Sequence, residues 1–346
     1  MLRTKTSIIA LALAMMVAGS GPLVAQDQGG FSAFLTQLAA RAQAQGVSRR
    51  TIDAVMPTLT FSQRVVDLDR GQPGSDPLDP NAPIPKFAPY AARHVDNARI
   101  SRGREKYLAL RGLLSRVERE TGVPESIMVA IWGNETNYGT YTGNFDLANA
   151  LATLAYDGRR RALFTDEFVA TLKLMDKGFP REILKGSWAG ATGYPQFLPS
   201  MYLRLGKDGD GDGRADIWNS EADALASIAN YFVNAGWRSG IPWGVRVSAP
   251  AGLDRAAIVA RTVPPRCPRV HGRLSQWKTI GEWRALGVSP FQPKGLNDRD
   301  LASFFEPDGP GTPAYLLTGN YRVILDYNCS NFYALSVGLL SDAVGK

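Results

Sequence analysis

Two stretches of the 346-residue chain carry carboxylates in arrangements that could do chemistry. The first is Ile127-Met128-Val129-Ala130-Ile131-Trp132-Gly133-Asn134-Glu135-Thr136-Asn137-Tyr138-Gly139. Ile127, Ala130, Ile131 and Asn134 recur at helical spacing and Gly139 is a natural stop, so the pattern predicts an apolar helix with Glu135 in its last turn. The negative end of the helix dipole, and desolvation by Trp132 and Tyr138 three residues to either side, would both favour the neutral acid. A carboxyl group still protonated near neutral pH is what the leaving oxygen of a glycoside needs from a general acid. Spacing alone leaves a surface glutamate as the alternative.

The second stretch is Asp208-Gly209-Asp210-Gly211-Asp212-Gly213-Arg214-Ala215-Asp216-Ile217-Trp218. Carboxylates fall at positions 1, 3, 5 and 9 of a calcium-type loop, with glycine at 6 and an apolar residue at 10. Position 12 is Asn219, where such a loop expects a bidentate glutamate. A solvated acidic turn is the alternative, and an ion here would clamp the fold rather than attack a substrate.

Scarcity bounds the rest. Two histidines and two cysteines cannot furnish a four-cysteine zinc site, an iron–sulfur cluster or an HExxH helix. Neither His94 nor His271 has a GxSxG segment to serve, and there is no GxxxxGK[ST] or GxGxxG to cradle phosphates. An enzyme built from this chain works with carboxylates, amides and hydroxyls, without an organic cofactor. The longest basic run is Arg159-Arg160-Arg161, which argues against nucleic acid as a partner.

The elements that must position these groups follow from periodicity and punctuation. Residues 1–25 read as a signal peptide: Arg3 and Lys5, an apolar run from Ile8 to Ala18, and a small-residue site at Leu23-Val24-Ala25. That run is too short to span a bilayer, so no transmembrane anchor is expected and the protein should be periplasmic. Loss of Arg3 and Lys5 brings the net charge from +7 to +5, a weak field for an acidic partner. Helices are predicted at Phe31 to Ala44, Arg49 to Val55, Arg160 to Asp176 and Ala222 to Asn234, with an extended proline-rich crossing from Gly71 to Pro89. Pro124 is placed to open the Glu135 helix, and Asp146 to cap a helix starting at Leu147. Residues 244–320 suit short strands in a small separate lobe, Tyr321 to Leu325 reads as a strand, and Ala334 to Val344 as a closing helix. In an exported protein Cys267 and Cys329 can pair.

Four ordered blocks then resemble one family. The Glu135 segment, Leu147-Ala148-Asn149-Ala150-Leu151-Ala152-Thr153-Leu154, Gly186-Ser187-Trp188-Ala189-Gly190-Ala191-Thr192-Gly193-Tyr194-Pro195-Gln196-Phe197-Leu198-Pro199-Ser200, and Tyr327-Asn328 with Tyr333 are similar to the lytic murein transglycosylases of the membrane-bound B type. The resemblance implies a mainly α (α+β) fold: a lysozyme-like catalytic core at 111–243, an N-terminal helical part at 26–110, a small β-containing lobe at 244–320, and a C-terminal return to the core at 321–346. It implies a peptidoglycan lytic transglycosylase. Glu135 would protonate the oxygen between N-acetylmuramic acid and N-acetylglucosamine, then take the muramoyl 6-hydroxyl proton as the 1,6-anhydro ring closes. Ser187 and Gln196 match polar groups near the acetamido substituent, and Asn328 and Tyr333 match residues bordering the catalytic centre. Tyr194 is the aromatic of this region most suited to touch sugar, Ser187 could instead be a turn cap, and Gln196, Asn328 and Tyr333 ordinary hydrogen-bonding residues.

The family has a similar calcium loop. Its ligands match Asp208, Asp210 and Asp212, the backbone carbonyl of Arg214, and Asp223, the last with one residue more in between. Expected partners are peptidoglycan glycan strands and proteins of cell-wall remodelling. A hydrolytic muramidase on the same scaffold and a non-catalytic, calcium-dependent peptidoglycan-binding protein are the competing readings. Asp146 and Asp157 are the nearest downstream candidates for a second catalytic carboxylate.

Overall fold

In a computed structural model, residues 23–72, 85–261, 264, 266–290 and 295–346 are described. The signal-peptide reading falls largely on residues 1–22, outside the described residues, as does most of the proline-rich crossing at 71–89. Helices Leu23–Ala44, Arg49–Val55 and Gln63–Arg70 come first, then Phe87–His94, Asn97–Ala109 and Arg111–Thr121. The helix Glu125–Thr136 follows, with Leu147–Asp157, Arg161–Asp176, Pro199–Leu205 and Glu221–Asn234 around it. After the small lobe, Gly319–Tyr327 and Asn331–Val344 return to pack against the Glu125–Thr136 helix and its neighbours.

Every residue from Ile127 to Gly133 is buried, which makes this helix apolar all round, as a helix must be to run through a core. Pro124 precedes it in extended conformation, and Asn137 in the left-handed region ends it, two residues before the expected stop at Gly139. Asn tolerates that conformation better than other residues with a Cβ, and the Asn137 amide closes on the Gly133 carbonyl at 3.1 Å. Gly133 has no side chain because a Cβ there would stand 2.6 Å from the Tyr138 ring. Asp146 caps the next helix as expected, accepting from Asn149 N at 2.8 Å.

The lobe is built on a five-stranded antiparallel sheet in the order Trp277–Thr279, Leu301–Phe305, Ala314–Leu317, Gly244–Ser248, Ser289–Pro290. Side chains alternate between two cores along these strands. Ala302, Phe304, Ala314 and Leu316 join Val245, Val247 and Trp283 in the lobe's own core, whereas Phe305, Tyr315 and Leu317 face the main helical core. Cover on both faces explains why Leu301–Phe305 and Ala314–Leu317 are apolar almost throughout.

Tyr321 to Leu325 is helical, contrary to the strand reading. Thr318 caps the Gly319–Tyr327 helix, its hydroxyl accepting from Asn320 N at 3.1 Å, and Tyr321, Ile324 and Leu325 bury at helical spacing. Cys329 accordingly follows a helix end rather than a strand end, and its Cα lies 5.6 Å from that of Cys267, with which it pairs. Ser330 caps the closing helix, which starts at Asn331 rather than Ala334; the first helix likewise begins earlier, at Leu23 instead of Phe31.

Candidate active site

Glu135 occupies the last turn of its helix, as the spacing predicts, where it is partly buried. Its Oε1 accepts a hydrogen bond of 2.5 Å from the Tyr333 hydroxyl, 198 positions away in the chain. Tyr333 is buried in the first turn of the closing helix, so the return of that helix to the core completes the site. One turn further on, the Ser336 hydroxyl donates to Asn134 Oδ1 at 3.1 Å and ties the two helices together beside the carboxyl group.

Burial pushes the Glu135 carboxyl up to about 7, while the Tyr333 hydrogen bond pulls it the other way. The helix dipole, expected to help raise it, meets an opposing arrangement. Arg99 Nη1 donates to the Gly133 carbonyl and Arg102 Nη1 to Asn137 Oδ1 at 2.5 Å, so cations cover the negative end of the helix. Desolvation is therefore the physical cause of the rise. Among the described residues no second carboxylate contributes to it. Asp146 caps a helix and pairs with Arg181 at 2.7 Å, and Asp157 pairs with Arg70 at 2.5 Å.

The other predicted residues are distributed around this centre. Gln196 sits in the left-handed backbone region, φ 52°, and donates both Nε2 hydrogens, to the carbonyls of Thr142 at 3.1 Å and Gly193 at 2.9 Å. Its Oε1 is left as the acceptor. Ser187 Oγ accepts from Ala191 N at 3.1 Å, so the turn-cap role is real and its hydroxyl hydrogen is still available. Tyr194 packs on Trp132 with ring centroids 5.8 Å apart, and its carbonyl accepts from Thr136 Oγ1 at 3.1 Å. Asn328 is exposed at the end of the Gly319–Tyr327 helix. Left-handed residues cluster here: Asn137, Tyr138 and Gln196 are three of the four non-glycine positions with positive φ among the described residues.

Two tyrosines belong to the site although the sequence assigned neither a role, Tyr327 appearing only as part of a matching block. The Glu135 charge raises the pKa of both Tyr90 and Tyr327, in each case after burial as the larger cause. The Tyr327 hydroxyl donates to the Pro195 carbonyl at 2.6 Å, which holds the Gln196 turn against the C-terminal segment. Tyr90 lies in the helix Phe87–His94, far from any recognisable pattern, and nothing local marks it.

In the aspartate loop, carboxylate oxygens of Asp208, Asp210 and Asp212 lie within 4.8 Å of one another. Backbone amides of Gly211 and Gly213 hold the Asp208 carboxyl below its usual range. Arg214 lays its guanidinium over the Phe179 ring, 4.1 Å from the centroid, which leaves only its carbonyl as a conceivable ligand. Asp223 stands apart from the cluster. It is fully buried and accepts from Gly209 N at 2.7 Å and Asp216 N at 2.6 Å, closing the two ends of the loop upon each other.

The transglycosylase SLT domain model matches residues 30–342, nine-tenths of the chain. The chain belongs to that transglycosylase family. It is 32% identical over 303 residues to membrane-bound lytic murein transglycosylase B of Escherichia coli K12, covering 86% of this chain and 79% of the relative. It is also similar to the crystal structure of SltB3 from Pseudomonas aeruginosa in complex with NAG-anhNAM-pentapeptide, with 36% identity, a TM-score of 0.79, and coverage of 91% of this chain and 79% of the other. The Escherichia coli lytic transglycosylase Slt35 in complex with calcium matches at 27% identity and a TM-score of 0.71, over 92% and 93% of the two chains. The mainly helical, lysozyme-like architecture and the enzyme class expected from the resemblance are those of this family.

Proposed function

We propose that the chain cleaves the β-1,4 bond between N-acetylmuramic acid and N-acetylglucosamine in peptidoglycan, with Glu135 acting first as acid and then as base. The Glu135–Tyr333 pair carries this reading. With Oε1 engaged by Tyr333, the transferable proton rides on Oε2, and a carboxyl near 7 holds it at neutral pH yet can release it. As the proton leaves for the glycosidic oxygen, the Tyr333 hydrogen bond becomes charge-assisted and strengthens, which lowers the cost of the developing carboxylate. That carboxylate then accepts the muramoyl 6-hydroxyl proton as the hydroxyl attacks the anomeric carbon, closing the 1,6-anhydro ring and resetting the acid.

A paired-carboxylate glycosidase would need a second acid about 5 Å away, or roughly 6.5–9.5 Å for inversion. The engagement of Asp146 and Asp157 elsewhere supports the single-carboxylate route over hydrolysis. Gln196 Oε1 and the Ser187 hydroxyl offer an acceptor and a donor for the acetamido group, Asn328 and Tyr194 flank the reacting sugar, and Tyr333 serves the proton transfers rather than the sugar.

Asp208, Asp210, Asp212 and the Arg214 carbonyl would hold a calcium ion, whose hard-oxygen preference fits three clustered carboxylates. Its contribution is structural, with Asp223 bracing the loop from behind. Among the described residues no helix is long and apolar enough to cross a membrane. Together with the N-terminal export pattern, this supports a periplasmic protein acting on glycan strands alongside other wall-remodelling proteins.

Glu135→Gln separates the enzyme from a binding protein. The variant should clear sacculi at least ~10³-fold more slowly while sedimenting with them as the wild type does. Undiminished clearance would refute the assignment of Glu135.

A further inference from the structure

Away from Glu135, a cavity of about 590 Å³ opens where the small lobe meets the main body. Arg322 forms its fixed wall. One nitrogen of that guanidinium meets His271 Nδ1, another donates to Ser303 Oγ at 3.3 Å, and its face lies 5.0 Å from the Trp277 ring centre. The Nε is buried without a partner. Arg238 and Arg299 line the same cavity from exposed positions. Among the described residues no carboxylate pairs with any of these three guanidiniums. Two acids line the cavity as well, Asp326 facing Arg266 at 3.7 Å and Asp300 accepting from Asn297 N at 2.7 Å, so the guanidiniums outnumber the carboxylates.

Three guanidiniums against two carboxylates, one of which faces Arg266, leave the cavity positive, and with Arg322 locked in place it is a site suited to carboxylates. The cavity is far larger than an inorganic anion needs, and Trp277 and Leu301 line it with apolar surface while 41% and 55% exposed. Both features suit an organic, multiply carboxylated ligand. The helix Gly319–Tyr327 links this place to the catalytic centre. Arg322 and Asp326 face the cavity, and Tyr327 at its end lies in the field of Glu135. Nine helical residues span about 13 Å. The helix thus has one flank at the cavity and its end beside the catalytic centre.

We propose that this cavity binds the carboxylate-bearing peptide that hangs from the glycan, at a distance from the bond being cut. The proposal rests on the peptidoglycan reading above and names a second contact with that substrate. Trp277 supplies the platform, Arg322 the fixed anchor, and Arg238 and Arg299 the rim charges that draw the peptide in.

Isothermal titration of the full-length protein with a free acidic wall tetrapeptide tests it, because binding needs no turnover. Binding should weaken with added salt and fall about tenfold in Arg238→Glu/Arg299→Glu, whose exposed positions spare the fold. The same double variant should raise KM about tenfold on peptide-bearing strands and leave it unchanged on glycan stripped by an amidase. Trp277→Ala should weaken the peptide in the same way without altering the salt slope. No binding, equal binding by wild type and variant, displacement of the peptide by inorganic phosphate alone, or equal losses on both glycans would overturn the proposal. Peptide binding by a wild type that cleaves neither glycan would instead sink the catalytic reading and leave the cavity's ligand standing.

Discussion

Glu135 and Asp208 carry the same kind of carboxyl group, yet burial lifts the first to about 7 while backbone amides hold the second below its usual range. Glu135 has one hydroxyl partner and an apolar helix beneath it; Asp208 lies in a glycine-rich loop with Asp210 and Asp212 beside it. The difference is one of solvation. A lone carboxyl that has lost its water is a reservoir for a proton, whereas several that keep water and amide donors are a trap for a cation. Glu135 thus stands at the end of a buried helix, whereas residues 210–214 of the aspartate loop are exposed.

The comparison breaks most visibly at Tyr333. Tyr333→Phe removes the bond that pulls the Glu135 carboxyl down, so that carboxyl should rise further. Turnover should fall ~10–100-fold at neutral pH because the developing carboxylate loses its donor. The pH profile carries the sign. The acid must be protonated, so the rate falls as pH climbs through about 7 in the wild type, and the variant's falling limb should sit at higher pH. A limb shifted to lower pH would mean that Tyr333 does not act on Glu135 as described.

Asp223 sharpens the other half. If it braces the loop rather than binding an ion, Asp223→Ala leaves the buried amide of Gly209 and the part-buried amide of Asp216 without acceptors and should cost roughly 2–4 kcal/mol, measurable by urea unfolding. The loss should be the same with calcium or EDTA present; a loss seen only with calcium would make Asp223 a ligand. Smaller still is the effect of the ion itself. EDTA should lower the melting temperature by several degrees without changing turnover in the cold, and Asp210→Asn should erase that response. An unchanged melting temperature would leave the loop a solvated turn.

How far sequence reading reached differs between the regions for physical reasons. The Glu135 helix, the Asp146 cap, the aspartate cluster and the Cys267–Cys329 pair rest on local spacing or simple pairing, and all were legible. The segment at 321–325 misled because Tyr321, Val323 and Ile324 favour strands locally, while the Thr318 cap and burial against the core decide for helix. Tyr90 and the covering of the helix end by Arg99 and Arg102 depend on helices meeting across the fold, and no local pattern encodes that meeting. Asp223 matches the late ligand of the family's loop by its place in the chain; its burial against two amides is a tertiary fact that no local pattern encodes.

The central claim is that one carboxylate does both proton transfers and that the substrate's own hydroxyl closes the ring. Mass spectrometry of the fragments released from purified sacculi tests it most directly. Muropeptides ending in 1,6-anhydromuramoyl groups are the predicted product, and fragments ending in reducing muramic acid would contradict the account.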